Sequence, residues 1–236
     1  MRRALPLLTL LLLFVPPLHA QKPVELQRSK CEYYPLEVGS RWIYRSGMQK
    51  VVVTVDREEP FIYKQRDAGD KNKENRYSAP SYWLKITSGD KVMAEQVVVL
   101  GENVYRVVGG GKTINPPLCI LKLPLKPGEF WECNTLTDSG TLKDAYDTPG
   151  MELRKGDGTP IEGTLLKGRF VGGQASFKFK GSDLPALTIT SNDFQIGNKT
   201  METETWYAKG LGMIKQRVRV GNVQTTLELE EYLPAK

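Results

Sequence analysis

Histidine is almost missing from this chain. Its 236 residues contain one, His19, in an N-terminal stretch that reads as removable. Without histidine the commonest general base is gone, and with it the Ser-His and Cys-His nucleophile pairs and most zinc and copper sites. Cysteine is scarce: Cys31, Cys119 and Cys133 allow one disulfide at most. Helical periodicity is missing too, since beyond residue 20 no segment sustains an i, i+3, i+4, i+7 apolar stripe. No stretch there approaches the ~18 apolar residues of a spanning helix. Concentrated positive charge is absent, because Lys and Arg are scattered among acids. The formal charge of +6 falls to +4 once Arg2 and Arg3 are removed. A nucleic-acid binder carries a basic stripe; this chain retains only a weak attraction to anionic surfaces.

What is present begins with an export signal. Arg2 and Arg3 precede an apolar run over residues 5–15, Pro16-Pro17 ends it, and Leu18-His19-Ala20 offers a small residue for cleavage before Gln21. Residues 1–20 are therefore expected to be a signal peptide. The remaining 216 residues are expected in the periplasm or outside the cell, without a transmembrane segment. Residues 21–32 are polar and read as a loosely held arm. Residues 33–236 read as one β-rich domain.

One spelling occurs twice. Pro35-Leu36-Glu37-Val38-Gly39-Ser40-Arg41-Trp42 returns as Pro124-Leu125-Lys126-Pro127-Gly128-Glu129-Phe130-Trp131. Proline biases its predecessor to an extended backbone, glycine turns the chain, and tryptophan brings a large surface to bury at the start of a strand. Pro127-Gly128 suits the centre of a type II turn. The spacing predicts an internal duplication, with halves 33–117 and 118–236, in which Pro35, Gly39, Trp42, Pro124, Gly128 and Trp131 are structural anchors. Between the copies, β-branched runs alternate with Gly turns: 42–45 with 50–55, a short strand at 61–63, then 82–87, 91–100 and 104–108. Residues 67–76 read as a charged loop, 109–117 as a linker, and 134–160 as turn-rich. Strands resume at 162–171, Gly172-Gly173 reads as a turn, and further strands are expected at 175–180, 186–191 and 200–207. The last hairpin turns at Gly221-Asn222. The fold class is all-β: an antiparallel meander of roughly ten to twelve strands, strongly curved into a half-barrel, a barrel or a sandwich.

Motifs with chemistry fail on inspection. Gly111-Lys112-Thr113 lacks the earlier glycine and the following helix of a phosphate loop. Glu202 and Glu204 share a strand face, an arrangement open to a glycosidase carboxylate pair, but alternation also puts acids on a solvent face. Asn198-Lys199-Thr200 matches a glycosylation acceptor, meaningful only in a eukaryotic secretory pathway. Four tryptophans and ten tyrosines fit core packing better than a ligand face. Cys119 and Cys133 flank the second copy and form the candidate disulfide, worth ~3 kcal/mol by loop closure; Cys31 is left over or replaces Cys119.

Tyr34-Pro35-Leu36, Gly39, Trp42 and Tyr44, together with Trp206-Tyr207-Ala208-Lys209-Gly210-Leu211-Gly212 near the other end, resemble the TapB-like exported bacterial domains. Those open on Tyr-x-Pro-Leu-x-x-Gly-x-x-Trp-x-Tyr and close on Trp-x-Ala-x-Gly-x-Gly before a strand. The resemblance implies a β-rich envelope domain without established catalysis, in which Trp206, Gly210 and Gly212 are structural. It supplies no active-site residues and no support for the disulfide. The expected function is a non-enzymatic, exported envelope domain that binds an apolar ligand or a protein partner, with no cofactor, metal or nucleic acid. The alternatives are a carboxylate-dependent glycan hydrolase using Glu202 or Glu204, and a purely structural envelope component.

Overall fold

Glycines in the left-handed region set the turns, and β-branched runs fill the strands between them. The computed structural model describes residues 23–26, 28–66, 74–138 and 163–236, which contain strands and no helix. The expected signal peptide lies outside the described residues, as do 67–73 of the expected loop and 139–160 of the expected turn-rich stretch; residues 74–76 of that loop belong instead to a strand, and so do 134–138 of that stretch. In chain order the strands are β1 (Val24–Glu25), β2 (Arg41–Ser46), β3 (Gln49–Arg66), β4 (Glu74–Ser88), β5 (Lys91–Leu100), β6 (Asn103–Gly109), β7 (Lys112–Leu121), β8 (Phe130–Asp138), β9 (Thr164–Phe179), β10 (Ser182–Ile196), β11 (Lys199–Ala208), β12 (Gly212–Val220) and β13 (Val223–Leu233). From β2 to β13 each strand pairs antiparallel with its chain neighbour, and β13 pairs back onto β2. The result is a closed barrel of twelve strands. Closure removes the free edges that an open sheet of this size would expose.

Register separates the two faces of the wall. Trp42, Val53, Ile86 and Met93 are successive cross-strand partners, and Trp42 keeps only 3% of its surface, so this row faces inward. Val97, Val99 and Val104 lie on the same face and belong to the main core with Tyr44, Tyr82, Leu84, Phe170, Tyr207 and Leu229. A second, smaller cluster of Ala79, Val98 and Val107, joined by Leu26, Phe61 and Tyr105, lies on the opposite face.

The twelve strands fall into two runs of six, β2–β7 and β8–β13, and each run opens on one copy of the repeated spelling. The copies are built alike. Ser40 N donates to Glu37 O at 2.9 Å, and Glu129 N to Lys126 O at 3.0 Å. Gly39 and Gly128 sit at φ of 98° and 80°, as the third residue of a type II turn requires. Gly39 N donates to Val55 O and Gly128 N to Gly172 O; Val55 N donates back to Ser40 O and Gly172 N to Glu129 O. Trp42 is then the second residue of β2 and Trp131 the second of β8. Leu36 and Leu125 are both buried in the main core. In each run the second and third strands form the longest hairpin, β3 with β4 and β9 with β10.

Several expectations need correcting. Residues 109–117 are not a linker: the chain turns at Gly110-Gly111 and runs on as β7, so the first half extends to Leu121. Gly172-Gly173 is not a turn but the middle of β9. A Cβ at Gly172 would stand 2.4 Å from Leu125 Cδ1, and one at Gly173 would stand 2.4 Å from Thr188 Oγ1. Close packing, not chain reversal, demands these glycines. Residues 61–63 belong to the 18-residue β3. The arm is tied down in part, because β1 pairs in parallel with Tyr77 and Ser78 of β4. The expected disulfide is absent and all three cysteines are free. Cys119 pairs with the outward-facing Tyr105, whereas Cys133 belongs to the inner core. The two thiols therefore lie on opposite faces of the wall.

Candidate functional site

The arm crosses one end of the barrel. Tyr34 N donates to Cys31 O at 3.0 Å, a tight turn that folds the arm back, and Cys31 and Leu36 are buried. Beneath it lies a cavity of about 270 Å³. Its apolar wall comes from Tyr34, Pro35 and Leu36, just after the arm, and from Tyr82 and Val99 on the inner face of β4 and β5. Charges stand at its rim, and two of its cations are paired: Lys209 Nζ lies 2.9 Å from Glu32 Oε2, and Arg28 contacts both carboxylate oxygens of Glu58. Burial pushes the Cys31 thiol above its ordinary range, so this cysteine is a poor nucleophile.

The two spellings that carry the TapB-like resemblance meet here. Gly210 N donates to Glu32 O at 2.7 Å, and Trp42 Nε1 donates to Leu211 O at 2.6 Å. Gly212 sits at φ 81°, which a side chain would strain, and it is tightly packed, since a Cβ would stand 3.1 Å from Trp42 Nε1 and 3.3 Å from Pro35 Cδ. The turn before β12 and the opening of β2 thus form one packed unit that closes the barrel end. Tyr34 stands between Trp42 and Tyr207, with ring centroids 6.3 and 6.1 Å away. Trp206 faces the other way, beneath the cations of Lys215 and Arg217.

Deeper on the inner face sits an ion pair that the sequence reading passed over. Arg106 is the cross-strand partner of Val97 and of Leu118, and Glu95 is the partner of Leu84. All three neighbours are core residues, so the pair belongs to the interior. Arg106 Nε lies 3.1 Å from Glu95 Oε2, without the alignment of a hydrogen bond, and has no hydrogen-bond partner. The two side chains keep 30% and 19% of their surface, so the pair is only partly enclosed. Burial works against the Arg106 charge, but Glu95, the strongest of its charged neighbours, leaves its pKa raised. Burial also pushes the Tyr34, Tyr44 and Tyr207 phenols upward, keeping all three neutral. Strand alternation alone carried a signal for this pair: Glu95 is in step with Val97 and Val99, and Arg106 with Val104.

Glu202 and Glu204 do not converge on a cleft. Each faces an arginine across the β11–β12 ladder, Glu202 with Arg219 at 3.4 Å and Glu204 with Arg217 at 2.9 Å, on the face opposite Tyr207. Among the described residues no group of three or more His, Cys, Asp or Glu is placed to hold a metal. No described helix is long and apolar enough to cross a membrane.

No family model matches this chain. No curated protein matches it either. Among solved structures, it is similar to a Bacteroides fragilis protein described as exported and as having a YmcC-like fold, at 10% identity and a TM-score of 0.42, over 85% of this chain and 98% of that one. It is also similar to a Parabacteroides distasonis protein described as a lipoprotein, at 9% identity and a TM-score of 0.42, over 87% of this chain and 100% of that one. Neither likeness bears on function.

Proposed function

We propose that this chain is an exported, non-enzymatic envelope protein that holds an apolar ligand inside its barrel, at the end covered by the arm. The carrying observation is the cavity of about 270 Å³ between the arm and the inner wall at Tyr82 and Val99. Such a volume exceeds the ~150 Å³ that admits a benzene-sized molecule and lies just under the usual range for ligand pockets. The signal-like residues 1–20 and the TapB-like spelling of the two chain ends support the exported setting. A wall of neutral phenols and aliphatic side chains supports binding over chemistry.

The test uses residues 21–236, purified from an exporting host and examined by native mass spectrometry, then stripped and titrated with the neutral apolar dye Nile red. A co-purifying apolar molecule or saturable dye binding is expected. Filling the cavity with Val99→Trp should abolish dye binding, while Val220→Trp, at the turn between β12 and β13, should leave it intact. Equal dye binding by all three proteins would sink the assignment.

A further inference from the structure

The inner ion pair lies one step along the wall from the cavity under the arm. Val99 lines the cavity and pairs with Val104, while the next inward-facing pair is Val97 with Arg106. Arg106 is therefore one inward position deeper, ~7 Å along the strand. Tyr34 bridges the two levels: it lines the cavity and is an electrostatic neighbour of both Glu95 and Arg106. An elongated molecule seated against Val99 would direct one end at this pair.

The pair defines what that end should be. Arg106 keeps 30% of its side-chain surface, while its Nε is shielded and lacks an aligned acceptor, so the guanidinium is incompletely satisfied, which is costly. Its charge is already balanced by Glu95. An incoming carboxylate or phosphate would meet the Glu95 carboxylate inside the wall, where a like charge is repelled more strongly than in bulk water. An incoming cation would meet Arg106. An uncharged oxygen can accept from the part of the guanidinium that stays reachable and leaves the charge balance of the pair as it is.

We propose that Arg106 and Glu95 form the polar end of the ligand site, and that the ligand is a neutral amphiphile whose ester, amide or hydroxyl oxygen is accepted there. This rests on the cavity reading given above. The test compares 1-oleoylglycerol with oleate as competitors of Nile red at pH 8, on the full mature chain. Wild-type protein is expected to bind the monoacylglycerol at least ten-fold more tightly than oleate. Glu95→Gln keeps the shape of the side chain but leaves Arg106 unbalanced, and should turn the preference toward oleate by ten-fold or more. Arg106→Gln should weaken the monoacylglycerol and spare Nile red. A wild-type preference for oleate, or equal affinity for both, overturns the proposal while dye binding keeps the cavity reading intact. So does an unchanged ratio in a Glu95→Gln protein with a native urea midpoint. Failure of every apolar probe overturns both readings. If the variant does not fold, the wild-type ratio decides.

Discussion

At the scale of single residues, burial outweighs reactivity. Cys119 and Cys133 would be taken for a disulfide in an exported protein, yet the wall separates them. Burial pushes their pKa values up to about 11 and about 12. At pH 8 only about a thousandth of the Cys119 thiol, or less, would then be thiolate. A disulfide-exchange reagent should therefore label the native protein slowly and titrate three thiols per chain after denaturation; one thiol per chain in denaturant would mean that a bridge forms. Both raised values have the same sign for stability. The neutral thiols contribute fully below the unfolded value of 9.0, and that contribution is lost as pH climbs through about 11 and about 12. Urea midpoints should fall steadily above pH 9, and a Cys133→Ala variant should lose part of that slope. On the outer face, by contrast, the Glu204–Arg217 pair is partly exposed and screened. Glu204→Gln should change stability by less than about 1 kcal/mol.

At the scale of elements, the unit that repeats is a type II turn followed by a strand with an inward tryptophan. Trp42→Ala should cost ~3–5 kcal/mol, because it empties a fully packed site and leaves Leu211 O without its donor. Trp131 is less completely buried and stacks on Phe170 at 5.7 Å, so its loss should sit at the lower end of that range. Urea unfolding of both variants measures this; a loss under about 1 kcal/mol at either position would remove it as an anchor. Gly172→Ala tests the second copy further. The added methyl collides with Leu125, so it should destabilise strongly, and Leu125→Ala in the same chain should recover part of the loss. The repeated turn was legible in the sequence because proline and glycine restrict the backbone locally. Gly172-Gly173 misled because the same residue type serves turns and tight packing, and only the residue packed against it, Leu125 or Thr188, says which. The hairpins at 42–55 and 213–232 were legible from alternation. The length of β3 and the path of β7 through Pro116-Pro117 were not, since proline marks breaks and irregular strands alike.

At the scale of the whole molecule, local spelling predicted many neighbouring strands and could not choose between barrel and sandwich. That choice is made at the two seams between the halves, β13 with β2, which are far apart in sequence, and β7 with β8, which are neighbours. The candidate site was still less legible, because it needs residues from both halves: Tyr34, Tyr82, Val99 and Arg106 from the first, Tyr207 and Lys209 from the second. This geometry has a consequence for unfolding. A duplicated chain of two independent domains would melt in two steps. Here each half supplies one strand to each seam, and a single interior cluster draws on both, with Trp42, Leu84 and Val104 beside Phe170, Tyr207 and Leu229. Neither run of six strands can close by itself, so losing one opens two edges and exposes the core of the other. Unfolding should therefore be one cooperative transition. Tryptophan fluorescence, drawn from Trp42 and Trp83 in one half and Trp131 and Trp206 in the other, should coincide with far-UV circular dichroism across the urea curve. Deleting residues 223–236 removes β13 and with it the seam to β2. That truncation should abolish the transition altogether, not merely lower its midpoint. Two separated transitions in the intact protein, or a truncated chain that still unfolds cooperatively, would show that the halves stand alone and that closure contributes little.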